Sequence, residues 1–143
     1  MKLSRKKALQ EHRKMWNWVA DEIERTGEPI GKYAYLCKSG NEYYQRLRSD
    51  CFLCEYTRSN NDGSCKHCPV IWYEDDDKFK SLVYVPCIDP KSPYYKFLMH
   101  DVKGIEYEEW LKRRVEYARL VANLPERPIS FKNFLKELFS RGE

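Results

Sequence analysis

The stretch Cys51–Pro69, CFLCEYTRSNNDGSCKHCP, sets two C-x2-C pairs ten residues apart, and the fold around it depends on what those pairs hold. In each pair the spacing lets both sulfurs turn toward one point, and a ten-residue connection lets the second pair close the opposite side. Cys51, Cys54, Cys65 and Cys68 therefore form a candidate tetrahedral Zn2+ site of four thiolates. Such a site is coordinatively closed, with no position for water or substrate, so the expected role of the metal is structural and the expected catalytic set is empty. Within EYTRSNNDGS, the turn formers Asn60, Asn61, Asp62 and Gly63 are expected to reverse the chain between the pairs.

Other uses of the cysteines remain open at this level. An iron–sulfur centre has the same ligand count, and CKHCP has the form of a redox dithiol, although a second pair beside it favours metal. Attachment of c-type haem requires His directly after the second cysteine, where Pro69 stands. Disulfides are disfavoured if the compartment is reducing. The opening MKLSRKKALQEHRK is basic without the apolar core and small-residue cleavage site of a secretory signal, so a cytoplasmic protein is expected. Cys87, in VPCI, is close enough in sequence to replace one of the four ligands, whereas Cys37 reads as a small buried thiol on the inward face of a helix.

The chain of 143 residues, 42% hydrophobic and 34% charged, is expected to form a single domain, 1–143, with the zinc lobe 51–68 inside it. No apolar run approaches the roughly 18 residues of a membrane span. The formal charge of +4 falls to about +2 once four thiolates and a zinc ion are included, a weak excess that argues against a broad nucleic-acid surface.

Around the lobe the periodicity is helical. From a Ser4 cap, Ala8, Leu9, His12, Met15, Trp16, Val19, Ala20 and Ile23 recur at three- and four-residue steps, until TGEP at Thr26–Pro29 ends the run. Trp18 lies off this stripe and either covers a second surface of the protein or contacts a partner. A short helix in PIGKYAYLCKSG is expected to turn Tyr33, Leu36 and Cys37 inward and to stop at Gly40. SLVYVPCI reads as a short or edge strand at best, because Pro86 ends it. SPYYKFLMH opens with a Ser92 cap and Pro93 at the first helical position. A longer helix from about Ile105 to Asn123 presents Tyr107, Trp110, Leu111, Val115, Ala118 and Val121 on one face, and Ser130 caps a C-terminal helix, 130–143. The expected class is mainly α, with a small irregular zinc-binding lobe of zinc knuckles and little β structure.

His12 is expected as a satisfied core residue, and the adjacency of His100 to Asp101 is poor evidence for an acid–base pair. EDDD at Glu74–Asp77 reads as a solvated loop rather than a cation site. The chain carries no glycine-rich phosphate loop, no GxSxG and no HExxH.

HRKMWNWVADEI, CFLCEYT with CKHCPVIW, the later Cys87, SPYYKFL and ARLVANLPER together resemble a group of small, uncharacterised zinc-finger-like proteins of bacteriophages and prophages of Gram-positive hosts. The likeness runs from His12 to Arg127, and Cys87 matches a frequent fifth cysteine of that group. It implies a small cytoplasmic factor acting on a host or phage macromolecule and supplies no activity. The expected function is then a non-enzymatic, zinc-stabilised binding protein contacting a host or defence protein, with Trp18, Arg58, Lys66 and His67 as candidate contact residues. A nucleic-acid-binding zinc module is the alternative, using SRKKALQEHRK together with Arg46, Arg48, Arg58, Lys66 and His67.

Overall fold

The computed structural model describes residues 2–38, 47, 51–60, 63–76, 85–100, 103–129, 135 and 139. The described chain is mainly helical: α1 (Arg5–Thr26), α2 (Lys32–Lys38), α3 (Phe52–Asn60), α4 (Pro93–Met99) and α5 (Tyr107–Ala122), with 3-10 turns at Cys65–His67 and Pro86–Ile88. Among the described residues the only β pairing is an isolated antiparallel bridge between Val70 and Glu126. None of the described helices is long and apolar enough to cross a membrane.

α1 is the axis, and its ends follow from local chemistry. Ser4 accepts a hydrogen bond from the Lys7 amide at 3.1 Å, satisfying one of the amides that a helix start leaves unpaired. At the other end Gly27 takes φ 68°, and its amide donates to Ile23 O. That left-handed conformation is open to glycine at little steric cost. Between the caps the apolar stripe is buried as the spacing predicts, including Met15, Val19 and Ala20.

α5 lies antiparallel along α1. His12 Nε2 donates to Val121 O at 3.0 Å near one end, Arg119 reaches Asn17, Asp21 and Glu24 further along, and Tyr107 Oη donates to Gly27 O at the other end. α2 and α3 also pack on α1, while α4 packs on α5. Phe97 of α4 meets Trp16 edge-on, with ring centroids 5.0 Å apart. Ser92 caps α4 through the Tyr94 amide, with Pro93 at its first position.

Several expectations change. Leu36 points inward as expected, but Tyr33 and Cys37 face solvent and Tyr35 is buried in their place. A helix of only two turns buries one stripe, and Tyr35 finds a large partner in Trp18, whose ring meets it edge-on at 5.4 Å. Trp18 therefore covers a second surface of α1. Tyr107 is likewise exposed rather than part of the inward face of α5, because it stands at the first position of the helix and reaches back along the surface to Gly27. The segment between the cysteine pairs is helical as far as Asn60, so α3 replaces most of the expected loop; Phe52, Leu53 and Tyr56 bury its inner face. Gly40, most of the SLVYV segment and the C-terminal helix expected over 130–143 lie outside the described residues, apart from 135 and 139.

Candidate metal centre

The cysteines are positioned by short, well-anchored backbone. Cys51 immediately precedes α3, and its carbonyl accepts the Glu55 amide at 3.0 Å. Its sulfur accepts hydrogen bonds from the Leu53 and Cys54 amides, the free N–H groups of that helix start. Cys54 sits one turn into α3, and Thr57 Oγ1 binds its carbonyl at 3.0 Å. Asn60 ends the helix with Nδ2 on Leu3 O at 2.7 Å, and Gly63, at φ 77°, donates back to Thr57 O. Cys65 opens the following 3-10 turn, which Ser64 caps, and Cys68 closes it with its amide on Cys65 O at 3.0 Å. The Cys68 sulfur accepts from the Val70 amide and from the Trp72 side chain.

Electrostatics tie these sulfurs together. The Cys51 thiol is drawn below its ordinary value, first by the hydrogen bond that the Cys54 thiol donates to it, with help from the cation of Lys32 and the two α3 amides. Cys54 is correspondingly pushed up, first by that bond and by the Cys51 charge, then by burial, Cys87 and Cys68. Burial first, and Cys51 after it, pushes Cys65 up and carries Cys68 to about 12. Cys87 also reaches about 12, through burial followed by Cys51, Cys65 and Cys68. Once one thiolate forms, each further deprotonation is opposed until a cation balances it.

Among the described residues, no three His, Cys, Asp or Glu side chains stand placed to hold a metal ion. Amide and indole N–H groups are directed at two of the sulfurs, those of Cys51 and Cys68. Outer hydrogen bonds of this kind orient ligands and stabilise their anionic form.

The second pair is welded to the rest of the fold by residues that the sequence reading passed over. Arg127 donates from both terminal nitrogens to Asp76, at 2.9 and 2.8 Å, and also to Cys68 O at 3.0 Å and Val70 O at 2.9 Å. Asp76 also accepts the Trp72 amide at 2.7 Å, and its carboxylate is only 1% exposed. One member of the acidic run is thus a buried structural anion, while Glu74 and Asp75 face solvent and Asp77 lies outside the described residues. Arg5 adds hydrogen bonds to Pro69 O and Arg127 O and an ion pair to Glu126. The Arg5 side chain is 12% exposed, so this residue of the basic opening clamps the fold internally. Nothing local in the sequence marks these pairings, which join segments far apart in the chain.

The remaining candidates are dispersed. Arg58 and Lys66 are exposed on α3 and on the 3-10 turn, His67 is half-buried beside Lys66, and Arg46 and Arg48 lie outside the described residues. His12 is buried in the α1–α5 seam, with Trp72 edge-on at 6.1 Å, and burial lowers its pKa to about 4. His100 stacks edge-on against Tyr117, its carbonyl accepts the Trp110 indole at 3.1 Å, and Asp101 lies outside the described residues. No protein-family model, no curated protein and no solved structure matches the chain.

Proposed function

We propose that this is a non-enzymatic binding protein in which zinc, held within the cysteine cluster, fixes α3 and the Cys65–Pro69 turn as a rigid face on the helical body. The observation that supports this reading is the placement of the two C-x2-C pairs, one at the start of α3 and the other in the Cys65–Cys68 turn that packs on α3, with N–H donors to Cys51 and Cys68. Zinc in such a set supplies folding free energy and no open coordination position. The face that it would steady carries the exposed cations Arg58 and Lys66, with His67 beside them. A surface of fixed geometry with a few cations suits a protein partner better than an extended phosphate backbone, which calls for a continuous basic track. Together with the resemblance to phage and prophage proteins, this favours a cytoplasmic factor that contacts a host or defence protein.

Metal analysis of protein purified under reducing conditions should give one zinc per chain; iron, or no metal with free thiols, would overturn the reading. Affinity capture from a host lysate should recover a protein that persists after nuclease treatment. Disappearance of all captured material with nuclease would favour the nucleic-acid alternative. In that case Arg58→Gln with Lys66→Gln should flatten the salt dependence of binding, by about 0.9 in log–log slope for each phosphate no longer neutralised.

A further inference from the structure

We infer that the exposed basic face shared by the first half of α1, the end of α3 and the Cys65–His67 turn is a docking surface for an acidic segment of a partner protein. The inference rests on the binding-protein reading above, names the chemistry of the partner and does not depend on the metal. Lys6, Gln10 and Lys14 are exposed and recur at four-residue steps, so they form one stripe on α1, about 12 Å long. Arg58 and Lys66 are exposed on α3 and on the 3-10 turn.

Three contacts bring these segments to one end of the molecule. Asn60 Nδ2 donates to Leu3 O at 2.7 Å, which sets the end of α3 against the residues that lead into α1. The Gly63 amide donates to Thr57 O at 3.1 Å, next to Arg58. Arg5 donates to Pro69 O at 3.3 Å, so the chain just beyond Lys66 closes on the first turn of α1. The other cations along this part of α1 have partners within the fold: Lys7 pairs with Glu11 at 3.3 Å, while Arg5 and Arg13 share Glu126. Among the described residues, no carboxylate pairs with Lys6, Lys14, Arg58 or Lys66.

Helix formation does not account for the lysines, since the first turn of α1 holds no acidic residue and cations there oppose the helix macrodipole. Past Ala20 the character of α1 reverses, with Asp21 and Glu24 exposed. Because Tyr107 at the start of α5 reaches Gly27, the exposed Glu106, Glu108 and Glu109 gather at that same far end. Charge is thus segregated along α1, basic where α3 ends and acidic at the other end, a field that steers an acidic partner to one face. A nucleic-acid backbone fits less well. Glu126 is exposed and lies alongside the stripe between Arg5 and Arg13, so a run of phosphates laid along Lys6 and Lys14 meets a carboxylate.

Fluorescence anisotropy on the full-length protein tests this at about 0.15 M salt, with a fluorescein-labelled peptide of alternating glutamate and serine as the probe and duplex DNA of equal charge beside it. The peptide should bind wild type. Lys6→Glu, Lys14→Glu and Arg58→Glu together should weaken it by about tenfold or more, because three exposed attractions become repulsions. Lys103→Glu, Lys112→Glu and Arg113→Glu together change net charge equally at the far end and should shift binding by less than about threefold, since charges beyond a Debye length are screened. Absence of peptide binding to wild type, or an equal loss in both triple variants, overturns the proposal. So does tighter binding of the duplex than of the peptide, which assigns the face to phosphates. Should the first triple variant fail to fold, amide shifts of wild type titrated with the peptide decide the matter. Changes centred on residues 2–14, 57–60 and 63–67 support the face, and changes centred on 103–113 overturn it. Affinity capture from a host lysate separates this inference from the broader reading. Nuclease-resistant protein retained equally by wild type and the first triple variant sinks the face alone; no nuclease-resistant protein at all sinks the binding-protein reading.

Discussion

At the scale of single residues, the strongest commitments are buried polar groups whose partners come from elsewhere in the chain. Arg127 and Asp76 form a two-pronged ion pair with side-chain exposures of 15% and 1%, and the same guanidinium takes up two carbonyls next to the second cysteine pair. Removing one partner leaves the other charge buried, so Arg127→Met should lower unfolding stability by about 3–5 kcal/mol in urea titrations. Arg127→Lys should recover only part of this, since an ammonium lacks the fork that binds both carboxylate oxygens. Glu126→Gln, which breaks exposed pairs to Arg5 and Arg13, should cost less than about 1 kcal/mol.

His12 makes a second residue-scale prediction. Its ring Nδ1 has no hydrogen-bond partner among the described residues, and burial holds its pKa at about 4 against 6.5 when unfolded. The unfolded chain therefore binds the extra proton between these values, and His12 contributes stability that is complete above pH 6.5 and lost as pH falls toward 4. Between pH 7 and pH 5 the loss is about 2 kcal/mol by linkage. His12→Gln should be less stable at neutral pH but should lack this part of the acid slope, read as the difference between the two proteins' urea midpoints at each pH.

At the scale of elements, legibility followed the range of the forces. α1 could be read nearly to its ends because its signals are local: a Ser4 side chain, an unbroken stripe at helical spacing, and a glycine just beyond the last turn. Gly27→Ala should cost about 1–2 kcal/mol, measurable as a lowered thermal midpoint, because alanine must adopt φ 68° there. α3 was hidden by the cysteines themselves. Phe52, Leu53 and Tyr56 have helical spacing, but the turn formers after Ser59 drew the whole connection into a loop. α2 was found with Leu36 inward as expected but with Tyr33 and Cys37 outward, since two turns leave too few positions for periodicity to fix a side, and the Trp18–Tyr35 contact turned Tyr35 inward. The cysteine-bearing part announced itself in the sequence only as a spacing; the clamp of Arg5, Asp76 and Arg127 around it left no such trace, since no local pattern encodes a pairing across most of the chain.

At the scale of the whole molecule, α1 and α5 form the body and the cysteine-bearing segments lie against it, held by α1–α3 packing and the Arg127 network. If zinc joins those segments, its removal should spread into the body. Chelation should lower the thermal midpoint and loosen α3 first, seen as faster amide exchange at Tyr56 and Thr57 than in the α1–α5 seam. Trp18→Ala should act differently, detaching α2 and costing about 2–3 kcal/mol while metal content stays unchanged.

The clamp also sets an order of events as the chain is made. Arg127 lies 59 residues after the Cys68 carbonyl that it binds, and 122 residues after Arg5, whose guanidinium closes on the Arg127 carbonyl. The ribosome delivers chain from the N-terminus at about 5–20 residues per second, so Cys68 is made several seconds before the residue that later fastens its carbonyl. Arrival of Arg127 then gathers the Cys68 and Val70 carbonyls and the Asp76 carboxylate onto one guanidinium, so the turn that carries the second cysteine pair is fastened only near the end of synthesis.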